Sequence, residues 1–261
     1  MHSQHSMSHN EIDAWLHLSS PRVRFLKTLP YGAIVLDLGA GDGSLALFKN
    51  WLPPHRPDIH LYAVSLADGP HKALYDGWEN KNFEDESPFP GKVFDAVFSS
   101  HFIEHIEGGP NNVMPWIASR LAPLGRVYIE TPSLFSKAGP RREALRAAGH
   151  LVSTTNFHDD ATHKETVDLD NLRASFMRSG FFVEESGYWH NPFLEPMLLD
   201  LASQTNVEFY ATSAVWMATR FAQYVIGVKD DPTTPRWRLE TAIPTTSFSP
   251  WNTIPTASRG A

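Results

Sequence analysis

Ile34-Val35-Leu36-Asp37-Leu38-Gly39-Ala40-Gly41-Asp42-Gly43-Ser44 is the stretch whose reading decides the fold. Four of its first five residues are apolar, the pattern of a short buried strand. Three glycines then turn the chain into the apolar-periodic Leu45-Ala46-Leu47-Phe48. A strand, a glycine turn and a helix in this order leave bare backbone at the carboxyl end of the strand, because glycine has no Cβ and accepts positive φ. In open α/β sheets that end is where ligands bind.

Two ligand classes use such a turn. A dinucleotide fingerprint needs glycine at the first, third and sixth positions, to bring a pyrophosphate onto the helix N-terminus. Here the sixth position is Ser44; Gly39, Gly41 and Gly43 alternate instead, and Asp37 stands two residues before the first of them. In this form, D-L-G-A-G-D-G-S, the stretch resembles motif I of the class I S-adenosylmethionine-dependent methyltransferases. Asn82-Phe83, Pro88-Phe89-Pro90 and Phe94-Asp95 resemble the residues that precede that family's fourth strand. Ser99-Ser100-His101-Phe102-Ile103-Glu104-His105 resembles the S-S-x-x-x-E-H that follows it, and L-A-P-L-G-R-V-Y-I-E-T-P-S, ending at Ser133, resembles the helix end, turn and fifth strand. The matches run in order from Val35 to Ser133.

The resemblance implies an α/β fold: a doubly wound seven-stranded sheet, Rossmann-like, with an antiparallel last strand and a helical insertion. It implies S-adenosylmethionine as cofactor and S-adenosylhomocysteine as product. It puts Asp37, Gly39, Ala40 and Gly41 at the cofactor from the first strand, and Ser65 and Leu66 from the second. Asn82 and Phe83 flank the adenine, and Ser100 and His101 lie beside the methionine half. Ser65 is a departure, because the family carries there an acid that accepts from both ribose hydroxyls. A hydroxyl cannot make that bidentate, charge-assisted pair, and the nearest carboxylate is Asp68 in the next turn.

The remaining chain extends this plan. Glu11 to Leu29 reads as two short helices divided at Pro21, and the helix after the glycine turn runs to about Leu52 before Pro53-Pro54. A second strand is expected at His60 to Val64, a short basic helix within Pro140 to Ala148, and a helix from Thr166 or Asp168 to Gly180. Phe181 to Ser186 and Gln223 to Lys229 resemble the antiparallel sixth and seventh strands that finish the sheet. Between them, residues 192–222 carry the periodicity of two helices, forming a lid or a homo-oligomer contact, with plain packing the simplest role.

A chain of 261 residues suits one sizeable domain, placed at residues 11–230, with a polar disordered end at 1–10 and a Pro/Thr/Ser-rich tail at 231–261. No apolar run reaches the ~18 residues of a membrane span, and no signal-peptide pattern is present, so a cytoplasmic protein is expected. The absence of cysteine removes disulfides, thiolate nucleophiles and Cys-ligated zinc. A net charge of −7 argues against nucleic acid as the partner.

Asn156-Phe157-His158-Asp159-Asp160-Ala161-Thr162-His163 is the densest group of ionisable residues and follows the fifth strand, over the acceptor side of such folds. A hydroxyl acceptor needs a base near neutral pH, which histidine supplies when a carboxylate orients it. His158, Asp159, Asp160 and His163 are therefore the candidate catalytic residues. The same group has two other readings, as ligands of a divalent cation or as Asp caps on the loop's own backbone. No metal is expected and no residue is assigned as a ligand. The leading expectation is an O-methyltransferase, a biosynthetic transferase acting on a small-molecule or saccharide hydroxyl. N- or C-methylation and a catalytically silent partner subunit are the alternatives, the latter favoured by Ser65.

Overall fold

In the computed structural model residues 7–231 are described; the calls on residues 1–6 and 232–261 lie outside them. Seven strands form one sheet: β1 Ile34–Leu38, β2 His60–Ser65, β3 Gly77–Asn80, β4 Phe94–Ser100, β5 Leu121–Pro132, β6 Phe181–Tyr188 and β7 Ala222–Lys229. Their order is β3-β2-β1-β4-β5-β7-β6. The pairs up to β5 are parallel, and β7 is antiparallel to both β5 and β6. This is the doubly wound sheet with an antiparallel last strand that the sequence implies.

The helices among the described residues are α1 His9–Ser19, α2 Pro21–Lys27, α3 Pro110–Arg120, α4 Arg142–Ala147, α5 Leu169–Arg178, α6 Leu194–Thr205 and α7 Glu208–Thr219. Successive strand residues point to opposite faces, so a strand covered on both sides reads as an unbroken apolar run. Leu36, Leu38 and Val97 pack with Val113 and Met114 of α3 and Leu172 and Phe176 of α5. Val35, Ala96 and Phe98 face the other way, onto Phe25 and Leu26 of α2 and onto Leu45.

Three local features depart from the sequence reading. Helix α1 opens at His9, because Ser8 and Glu11 form a capping box, so residues 8–10 are ordered instead of belonging to a disordered end. The segment after the glycine turn is a short 3-10 helix, Ser44–Lys49, and not a helix to Leu52. Leu52 has φ 56°, outside helical space, and Lys27 Nζ collects the carbonyls of Lys49, Leu52 and Pro54 at 3.0, 2.9 and 2.7 Å. Strand β3, Gly-Trp-Glu-Asn, has no location in the sequence reading: it is a half-buried edge without alternation.

The insertion at 192–222 forms two helices, as its periodicity predicts. Leu194, Leu198 and Leu201 of α6 and Ala214 and Met217 of α7 share a core with Ile12 and Leu16 of α1, so the three helices make one cap. The strands it joins stay paired up to its base, where Tyr188 faces Gln223 and Trp189 N donates to Ala222 O at 2.9 Å. No helix among the described residues is long and apolar enough to cross a membrane.

Candidate active site

A cavity of about 390 Å³ opens at the carboxyl ends of β1 and β4, within the range of small-molecule sites. Asp37, Gly39, Ala40, Gly41, Ser100 and His101 line it from the sheet, Trp216 and Phe221 from the cap, and Asp160 and His163 from the loop after β5. The two glycines serve different ends. A Cβ on Gly39 would stand 2.6 Å from Phe102 Cγ, so that position is closed by packing. A Cβ on Gly41, at φ 57°, would meet nothing within 4 Å, so the turn leaves space directly above its backbone. That space is the cradle a nucleoside-bearing cofactor requires.

Asp37, next to last in β1, is only 2% exposed and accepts a 2.6 Å hydrogen bond from the Tyr75 hydroxyl. Burial pushes its carboxyl up to about 7, although the Tyr75 bond opposes the shift. The folded state thus holds a proton here that the unfolded chain releases near pH 4, so stability falls as pH rises from about 4 to about 7. Asp37→Asn keeps the acceptor for Tyr75 and removes the titration. Its melting temperature relative to the parent should climb by at least about 5 °C across that window and stay level above it. A constant difference between the two proteins from pH 4 to pH 8 would contradict the raised carboxyl.

Behind the cavity lies a charged network that joins α2 to the centre of the sheet. Arg22 Nε reaches both Glu130 oxygens, at 3.0 and 3.1 Å, and its Nη2 and the Tyr128 hydroxyl also donate to Glu130, which is 1% exposed. His101 takes φ 52° and bridges two acids, with Nδ1 3.2 Å from Glu104 Oε1 and Nε2 in ion-pair contact 3.1 Å from Glu130 Oε1. Burial opposes charge on both, but Arg22 and His101 hold Glu130 below the usual carboxylate range, and the two acids raise His101. The cap meets this side through Trp216, whose ring lies 4.7 Å from the His101 ring at a tilt of 48°.

The histidine-rich loop divides in two. Asp159 Oδ2 accepts from Arg142 N, Thr155 N and Oγ1, and Asn156 N, at 2.9 to 3.2 Å, which ties the loop to the start of α4. His158 is exposed beside Arg141 and Arg142, outside the main cavity. Both sit apart from the glycine turn, and Asp159 does what a backbone cap does. Asp160 and His163 line the main cavity. His163 Nδ1 donates to Phe157 O at 2.6 Å, leaving Nε2 4.0 Å from Glu104 Oε1.

Four candidate cofactor residues stand elsewhere. Ser65 and Leu66 do not line the cavity, and Leu66 is 79% exposed. Asp68 is engaged by Lys72 Nζ and Asn80 Nδ2 at 2.8 and 2.7 Å. Asn82 caps its own turn by accepting from Glu84 N, and Phe83 packs edge-on to Phe102 and Trp116. Arg22, Glu104, Glu130 and Trp216 are the site residues that the sequence reading passed over. A carboxylate closing the apolar run Val127-Tyr128-Ile129-Glu130 was the available signal, since buried charges are almost always paired.

A sheet in this order, with an acid-preceded glycine turn and a cavity at the carboxyl ends of β1 and β4, is the architecture of the class I S-adenosylmethionine-dependent methyltransferases. The chain belongs to the methyltransferase domain family, which it matches over residues 9–186. Similar folds occur in a S-adenosylmethionine-dependent methyltransferase from Mesorhizobium loti, at 15% identity over 83% of this chain and 96% of that one, TM-score 0.53. A counterpart from Archaeoglobus fulgidus gives 16% identity, 84% and 94% coverage and TM-score 0.51. The complex between the Haloferax volcanii Trm112 methyltransferase activator and a methyltransferase gives 17%, 85% and 98%, and 0.52. No curated protein matches the chain. The enzyme is thus a methyltransferase that uses S-adenosylmethionine.

Proposed function

We propose that this methyltransferase acts on a hydroxyl of a small molecule or saccharide, and that the acceptor oxygen loses its proton at the corner formed by Glu104, His105 and His163. The observation that carries this reading is His163, which lines the cavity: its Nδ1 is committed to a carbonyl, which turns the basic Nε2 toward the buried Glu104. A carbon or amine acceptor has less need of such a corner. Aromatic rings of Phe48 and Trp216 beside the polar Ser153 and Thr154 suit a ring-bearing polyol.

Bound S-adenosylmethionine supplies a methyl group on a sulfonium, transferred to the acceptor oxygen as the C–S bond breaks with its electron pair left on sulfur. Asp37, Gly39, Ala40 and Gly41 would hold it at the glycine turn, and Ser100 and His101 from β4. The chain's remaining task is orientation, exclusion of water by the cap, and removal of the acceptor proton. In this reading His158 and Asp159 take no part in the reaction.

Transfer of a labelled methyl group to a panel of hydroxylated small molecules and saccharides tests the acceptor class. His163→Ala should lower turnover by ~10²-fold or more with S-adenosylhomocysteine affinity unchanged, and His158→Ala should leave both as they are. Methylation confined to amines or carbon, or full activity in His163→Ala, would overturn the proposal.

A further inference from the structure

We infer that Glu104, His105 and His163 form a binding site for a divalent transition-metal ion at the wall of the cavity. Their ligand atoms lie within 4.8 Å of one another, and the two imidazoles stand 4.8 Å apart at 52°. Glu104 Oε1 and His163 Nε2 face each other at 4.0 Å, too far for a hydrogen bond. Metal bonds of ~2.0–2.2 Å to each need only side-chain torsion to close the set.

The neighbouring groups orient all three as ligands. Phe157 O is an acceptor, so His163 Nδ1 carries the proton and Nε2 the lone pair. The Thr162 hydroxyl gives its one proton to Asp160 Oδ1 at 2.6 Å, so at 2.8 Å it must accept from His105 Nδ1–H. The neutral His105 ring is thereby left with a free Nε2. Glu104, 2% exposed, is steadied by His101 Nδ1 at Oε1 and by Thr131 Oγ1 at Oε2, both at 3.2 Å. Carbonyl, hydroxyl and carboxylate partners of this kind fix the tautomer and aim of metal-bound histidines.

The donor set selects the ion. Two imidazoles and one carboxylate suit zinc, manganese, iron, cobalt or nickel, whereas calcium and magnesium prefer all-oxygen shells. Three protein ligands leave positions open, the arrangement of reactive rather than structural sites. His105 and His163 line the cavity, so the open positions face it. On the proposed acceptor chemistry, the ion would lower the pKa of an acceptor hydroxyl at one of them, so that the O–H proton is lost to solvent water at this corner with both imidazole lone pairs held as ligands. Only this last step rests on the proposed function; the ion site stands without it.

The test uses the full untagged chain, with His2 and His5 replaced by alanine and bound metal stripped by chelator. Co²⁺ should bind with one-to-one stoichiometry, give visible ligand-field bands and be displaced by Zn²⁺. His105→Ala and His163→Ala should each weaken Co²⁺ at least ~100-fold, and Thr162→Val by ~10-fold, with His158→Ala unaffected. Unchanged S-adenosylhomocysteine affinity reports that each variant is folded, and Thr162→Val, which leaves all three ligands in place, carries the test if a ligand variant does not fold. Failure of the stripped chain to bind Co²⁺ or Zn²⁺, or undiminished binding in the His105→Ala/His163→Ala double variant, would overturn the site. Methylation of a hydroxyl at full rate by stripped enzyme would overturn the ion's part in the reaction, with the ion site and the proposed function left standing. Metal binding without transfer to any hydroxyl would uphold the site and remove the proposed function.

Discussion

Gly41→Leu should lose S-adenosylhomocysteine binding by ~10³-fold or more while the protein remains folded. A Cβ at this position meets no protein atom within 4 Å, and Gly41 lines the cavity, so a longer side chain there takes up ligand space. Its conformational cost at φ 57° is ~1–2 kcal/mol, which a folded domain tolerates. Gly39→Leu gives the contrasting result, because its side chain runs into Phe102 and the domain itself is destabilised. Calorimetric titration of ligand, paired with thermal unfolding of each variant, separates the two. Wild-type affinity in Gly41→Leu would place the cofactor elsewhere.

Glu130→Ala should destabilise the domain by about 3–5 kcal/mol at neutral pH, since it leaves the part-buried Arg22 guanidinium without its anion and His101 Nε2 without its ion-pair contact. Arg22 and His101 hold the Glu130 carboxyl below its ordinary range, against the pull of burial. Its contribution is therefore fully present above about pH 4.5, the unfolded carboxylate range, and is lost as pH falls through the lower folded value. Urea unfolding should show the gap between parent and variant at pH 7 and a narrower gap at the acid end. A difference under ~1 kcal/mol at neutral pH would mean that water replaces the carboxylate without loss.

What the sequence made legible follows from where each residue is buried. Strands β1 and β4 are covered on both faces, so each appears as a compact apolar run, and the glycine turn is set by its own backbone; β5 is fully buried only from Val127 onward, and its exposed start at Pro123-Leu124 reads as a turn. Strand β3 is an edge with half-buried side chains, and nothing in Gly77-Trp78-Glu79-Asn80 distinguishes it from a loop. Within the loop after β5, His158 and His163 look equivalent as sequence. They separate only because the 3-10 turn Phe157–Asp159 points one outward, while the Phe157 carbonyl holds the other against Glu104. The Arg22–Glu130 pair spans 108 residues, and no local pattern connects its members.

The cap helices α6 and α7 leave β6 and return to β7 through neighbouring positions, closed by the Trp189–Ala222 backbone bond at 2.9 Å. Such a closed excursion can be lengthened, shortened or exchanged without shifting one residue of the sheet's register, and doubling a loop's length costs only about 0.6 kcal/mol. The wall that Trp216 and Phe221 contribute is therefore free to change between related proteins, while the wall made by the glycine turn is not. Acceptor preference can drift in such a lineage without loss of the methyl donor.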